Sequence, residues 1–123
     1  MAYDEYQAER IRNTLTNKKV AFEELKMMGG LCFKVDGKML CGIHLDKKLN
    51  DHLLMARIGE AAYPDAIEKN HVLPMDFTGR PMRGYIFVQS EGFDLEDDLA
   101  FWLQKCLDFN PLAKASKKRK KKV

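Results

Sequence analysis

Three groupings of side chains in this 123-residue chain have residue types and spacings that could do chemistry. The first is sulfur: Cys32, Cys41 and Cys106 are an odd number, too few for a disulfide framework, and none lies in a C-x-x-C pair. Cys32 and Cys41 flank Asp36-Gly37 at positions that a two-residue turn brings face to face. There the Cα atoms of a non-hydrogen-bonded pair sit about 4.5 Å apart, and a disulfide is geometrically allowed. In a reducing compartment such thiols behave as small apolar residues. As a nucleophile either would need a neighbour that lowers its pKa, and Lys34, two residues from Cys32, is the nearest cation in sequence.

The second grouping is Cys41, His44, Asp46 and His52, potential metal ligands close in sequence. Cys41 and His44 lie three positions apart on one extended run, so alternation sends them to opposite faces, and tetrahedral ligand spacings are missing. The expectation is no metal site. The third grouping is basic. Lys38, Arg57, Arg80 and Arg83 form a patch if the strands bring them together, and Lys117, Lys118, Arg119, Lys120, Lys121 and Lys122 are an unbroken cationic run. Such a run neutralises about six phosphates and draws DNA or RNA without reading sequence.

Other chemistry is excluded early. The only serines are Ser90 and Ser116, neither in a G-x-S-x-G turn, and there is neither a P-loop nor a G-x-G-x-x-G. The sequence therefore predicts no catalytic residue and no cofactor. Seven of the 21 basic residues lie in the last ten positions, which leaves 14 basic against 18 acidic residues, a formal charge of −4, over residues 1–113. An acidic body precedes a basic tail. No apolar run is long enough to span a membrane and Met1-Ala2-Tyr3-Asp4-Glu5 is unlike a signal peptide, so the expected location is the cytoplasm, with no membrane partner.

The elements that must position these groups follow from periodicity. Tyr3 to Asn17 reads as an amphipathic helix with Ala8, Ile11 and Leu15 on its apolar stripe and Arg10 and Arg12 outside it. Val20 to Met28 reads as a strand, Gly29-Gly30 as a bend, and residues 31 to 43 as a hairpin about Asp36-Gly37, because both turn residues accept positive φ. Counting outward pairs Val35 with Lys38, Lys34 with Met39, Phe33 with Leu40 and Cys32 with Cys41. Leu31, Phe33, Val35 and Leu40 then share the core face, and Cys32, Lys34, Met39, Cys41 and Ile43 the other. His44 to His52 reads as a polar loop, Leu53 to Ile58 as a strand, Glu60 to Asn70 as a short helix, Val72 to Phe77 as extended, and Gly84 to Val88 as a strand. The closing helix is expected with Asp94 as its cap, Leu95, Leu99, Trp102, Leu103 and Cys106 on one stripe, and a stop at Asn110-Pro111. The fold class is α+β, a two-layer arrangement of an antiparallel sheet of five to six strands packed with helices, in the order α, three to four strands, α, one to two strands, α. Residues 1–112 make the domain and 113–123 a disordered basic tail.

With these elements in place the sequence resembles the N-terminal domain of the TfoX (Sxy) family, known for bacterial regulators of natural competence. The resemblance covers roughly residues 3 to 112. It rests on Met28-Gly29-Gly30-Leu31-Cys32-Phe33, on Asp36-Gly37-Lys38-Met39, on Pro74-Met75-Asp76-Phe77-Thr78-Gly79-Arg80-Pro81-Met82-Arg83-Gly84-Tyr85, and on the helix closing at Asn110-Pro111. Met28 stands where the family usually has phenylalanine. The resemblance implies a secretion-chaperone-like α+β domain without known catalytic residues. Competence regulators of the family carry a second, C-terminal domain; the expectation for this chain is a single domain followed by the basic tail. The expected function is a non-enzymatic interaction module in bacterial transcription regulation that binds a protein partner through its sheet or an edge strand. The alternatives are nucleic-acid association through the tail and a thiol switch at Cys32 and Cys41.

Overall fold

The computed structural model describes residues 3–27, 30–75 and 84–113. Helix α1 (Glu5–Asn17) is followed by strands β1 (Glu23–Met27), β2 (Gly30–Val35), β3 (Lys38–Asp46) and β4 (Asp51–Arg57), then by α2 (Tyr63–Ile67), β5 (Val72–Pro74), β6 (Tyr85–Gln89) and α3 (Glu96–Phe109). Short 3-10 turns at Ser90–Gly92 and Asn110–Leu112 flank α3. One six-stranded sheet runs β1-β2-β3-β4-β6-β5, with every neighbouring pair antiparallel. The expected α+β class is present, and β1 to β4 pair in chain order as an antiparallel meander. Among the described residues no helix is long and apolar enough to cross a membrane.

The Asp36-Gly37 turn forms as expected, with φ of 56° and 73°. Val35 pairs with Lys38 and Lys34 with Met39, but the register then shifts by one residue, and Phe33 meets Cys41, Cys32 meets Gly42 and Leu31 meets Ile43. Leu40 is the extra residue of a β-bulge, which leaves two successive residues facing the same side. The expected pairing of Cys32 with Cys41 is thereby corrected: Leu40, Cys41 and Ile43 all join Leu31, Phe33 and Val35 in the core, while Cys32 points to the opposite face. All three thiols are free and buried.

Other boundaries move for local reasons. β3 continues through His44 to Asp46 and β4 starts at Asp51, so the segment read as a polar loop is mostly ladder, with Leu45 opposite His52. The true turn is Lys47 to Asn50, where Asp46 accepts the Leu49 amide at 2.9 Å and Asn50 takes φ 52°. The first helix is capped by Asp4, whose side chain accepts the Tyr6 amide at 3.4 Å. The last begins after Leu95 rather than Asp94, with no side-chain cap, and its opening turn holds Glu96, Asp97 and Asp98 against the positive end of the helix dipole. α2 spans five residues rather than the expected eleven. β1 starts at Glu23, three residues later than expected.

The main core lies between the sheet and the helices. Ala8, Ile11 and Leu15 of α1 and Leu99, Trp102, Leu103 and Cys106 of α3 pack on Phe33, Leu40, Leu54, Ala56, Ile86 and Val88. Each fully buried Leu, Ile or Phe contributes about 1.5–3 kcal/mol, which makes this layer the main source of stability. The opposite face of the sheet carries a smaller cluster of Cys32, Leu53, Met55, Met75 and Phe87. Arg10, read as outward-facing, is buried. Its guanidinium donates to the Phe93 and Asp94 carbonyls at 2.9 and 3.0 Å, to Gln7 at 2.9 Å and to Glu96 at 3.3 Å. One side chain thus ties α1 to the chain entering α3.

Candidate interaction surface

The sequence-derived basic residues divide by what the structure describes. Arg80, Arg83 and Lys117, Lys118, Arg119, Lys120, Lys121 and Lys122 lie outside the described residues. Lys38 and Arg57 both reach the C-terminal end of α3. Lys38 Nζ donates to the Asn110 carbonyl at 3.2 Å, and the Asn110 amide donates in turn to the Val35 carbonyl at 3.2 Å. The two residues flanking the hairpin turn therefore grip the residue that ends the helix, where a cation also meets the negative end of the dipole. The Arg57 guanidinium sits 5.3 Å from the Tyr85 ring centre and 5.6 Å from that of Phe109. Beside it an open groove of about 510 Å³ runs past Gly59, Glu60, Gly84 and Leu112. Gly59 has φ 90°, and a Cβ there would run into the Phe109 ring.

The candidate ligands do not assemble. Cys41 belongs to the core, whereas His44 lies against Phe87 on the other face with ring centres 5.2 Å apart, as the alternation requires. Burial pushes the His44 pKa down, and Asp46 opposes this in part. His52 Nδ1 is buried without a hydrogen-bond partner, and His71 Nδ1 stands 3.6 Å from Glu91. Among the described residues no group of three or more His, Cys, Asp or Glu is placed to hold a metal ion. Burial disfavours the thiolate form of all three cysteines. Burial pushes Cys41 well above its ordinary value and Cys106 up to about 12, the latter opposed by a hydrogen bond with the Arg57 backbone, and burial also raises Cys32.

The feature that sequence reasoning passed over is Phe101. On α3 the core stripe takes Leu99, Trp102, Leu103 and Cys106, which leaves Phe101 on the outward flank, 42% exposed. It packs edge-on against Trp102 with ring centres 5.0 Å apart, and Trp102 is itself held by an Nε1–H bond to the Gly92 carbonyl at 3.1 Å. Lys69 and Lys105 each place Nζ 5.6 Å from the centre of the Phe101 ring. Two hollows meet at this ring. One, of about 210 Å³ between α2 and α3, is floored by Ile58, Ala62 and Ala66. The other, of about 330 Å³, is bordered by Asn70, His71, Glu91 and Asp98. The signal that could have found Phe101 was its place in the helical repeat, one position off the core stripe and four residues before Lys105.

Comparison with curated proteins gives no match. The profile of the TfoX N-terminal domain matches residues 17–110, a span that holds all six strands, α2 and α3. With the hairpin turn, the bulged meander and the closing helix inside that span, the chain belongs to the TfoX N-terminal domain family.

Proposed function

We propose that this chain is a non-enzymatic interaction module in bacterial transcription regulation, of the kind its family supplies in natural competence, and that it docks a protein partner in the cleft between α2 and α3. The observation that supports this reading is Phe101, an exposed aromatic ring fixed from behind by Trp102 and flanked by two lysines. Rigid aromatics beside an apolar pocket carry binding energy at protein interfaces because little side-chain entropy remains to be lost on docking. The fitting partner is a segment with an apolar anchor for the Ile58, Ala62 and Ala66 floor and flanking carboxylates for Lys69 and Lys105. Asp65 on the α2 rim leaves the cations in the majority.

Affinity purification from native lysate, run in parallel with the wild type, Phe101→Ala and Tyr6→Ala, tests the proposal. Tyr6 is the control because it is 67% exposed on α1 and lines neither hollow at Phe101. The expected result is one stoichiometric protein retained by the wild type and Tyr6→Ala and lost by Phe101→Ala. Recovery of no stoichiometric protein, or equal recovery by all three, overturns it. A second reading is favoured by the run Lys117 to Lys122, whose composition suits sequence-blind association with nucleic acid.

A further inference from the structure

The two edges of the sheet are built differently. β5 has three residues and ends in Pro74, which has no N–H to offer, so that edge resists extension. β1 has five residues, and Glu23, Glu24, Leu25 and Lys26 are all exposed. Every second residue of an edge strand turns an unpaired N–H and C=O outward. Pairing with β2 assigns the faces: Glu24 opposite Phe33 and Lys26 opposite Leu31 lie on the helix side, and Leu25 opposite Cys32 lies on the other.

The charges on this strand are unevenly matched within the chain. Arg12 holds Glu24 through Nε at 2.6 Å and Nη2 at 3.1 Å, and also bonds Glu5 at 2.6 Å and Glu9 at 2.9 Å. Three carboxylates thus share one guanidinium, a local surplus of negative charge. Lys26, two residues along on the same face, makes no ion pair among the described residues. A strand reading Glu24-Leu25-Lys26 is self-complementary in one arrangement only. Antiparallel about a twofold axis at Leu25, each Glu24 faces the Lys26 of the other copy and Leu25 faces itself. A parallel copy in register would set like charge on like, which destabilises cross-strand pairs.

We infer that β1 is the homodimerisation edge of this protein, pairing antiparallel with β1 of a second copy about a dyad at Leu25. The interface is isologous and joins two six-stranded sheets into one, with main-chain hydrogen bonds supplying attraction and the two crossed Glu24 and Lys26 pairs fixing register. It lies at the opposite end of the sheet from β5, and its test does not depend on the α2–α3 cleft.

Sedimentation of the full chain over a concentration series tests the dimer, and cysteine cross-linking tests the register. Leu25→Cys is made in a Cys32→Ala background, because Leu25 and Cys32 are cross-strand partners within one copy. Under mild oxidation it is expected to form a covalent dimer, whereas Glu23→Cys in the same background, which faces residue 27 across the dyad, is not. Lys26→Glu sets carboxylate against carboxylate and is expected to weaken the dimer by about tenfold or more, with an unchanged circular dichroism spectrum. A wild type that remains monomeric throughout overturns the inference. So does a dimer that Lys26→Glu leaves intact or that Leu25→Cys does not lock.

Discussion

Arg10 is the residue on which two elements depend at once, and its side chain is 7% exposed. Removing it leaves the Phe93 and Asp94 carbonyls without their donor at the point where the chain turns into α3. Arg10→Ala is therefore expected to cost about 2–3 kcal/mol in urea unfolding. Arg10→Lys recovers little of this, since an ammonium cannot reproduce the planar fork that spans both carbonyls, Gln7 and Glu96. The thiols make a second residue-level prediction. Because burial raises the Cys106 pKa from 9.0 to about 12, the folded state holds a proton that the unfolded state has already released between those values. Stability from this group is whole below pH 9 and is lost as pH rises toward 12. Cys106→Ala lowers stability at pH 7 by leaving a small cavity, yet its stability should fall less steeply than that of the wild type across that alkaline window. Equal slopes in denaturant titrations at several pH values would show that another group governs alkaline unfolding. At neutral pH all three thiols should resist alkylation until the chain is unfolded, and this is a direct check on the thiol-switch alternative.

At the scale of elements, the contact between the end of β4 and the end of α3 is the most sensitive joint. Gly59 lies directly beneath the Phe109 ring with φ 90°. Gly59→Ala meets two penalties, a left-handed backbone worth about 1–2 kcal/mol and displacement of the ring, for a total of about 2–4 kcal/mol. In a Phe109→Ala background only the first should remain. A double-mutant cycle is thus expected to give a coupling of about 1–2 kcal/mol. Neither this joint nor the bulge could be read from the chain. The Asp36-Gly37 turn was legible because two successive positive φ angles leave few residue choices, and α3 was legible because its apolar residues repeat at helical spacing over fourteen residues. The bulge at Leu40 was not, because Leu40 and Cys41 are both apolar and either suits a core-facing position; the sheet settles the choice by seating both. The turn at Lys47 to Asn50 was hidden because strands can carry polar residues where their ends pass beyond the core. Among the site residues, Lys38 and Arg57 were visible as charges, but their targets, Asn110 and Phe109, lie more than fifty residues away in sequence. Phe101 was visible only as a position off the stripe.

The molecule as a whole divides its charge sharply: residues 1–113 carry a formal charge of −4, and the last ten carry seven cations and no acid. On the nucleic-acid reading, affinity belongs to the tail alone and scales with the counterions it releases. With about six phosphates neutralised, the slope of log K against log salt on duplex DNA should be about −5 and independent of the duplex sequence. The acidic body works against the approach of a polyanion, and this repulsion is itself screened by salt, with a Debye length of about 8 Å at physiological ionic strength. The observed slope should therefore be slightly shallower than the tail alone would give. Removal of residues 114–123 should abolish binding at every salt concentration, while the Phe101 cleft and the β1 edge, which lie within the body, keep whatever partners they hold. Fluorescence anisotropy on two unrelated duplexes, with full-length and truncated chains over a salt series, separates the outcomes. Binding that survives truncation, or that ignores salt, places the contact on the body and removes the tail mechanism. A slope near −5 that vanishes with the tail makes nucleic-acid association an attribute of ten residues, carried by a domain whose surfaces remain available to proteins.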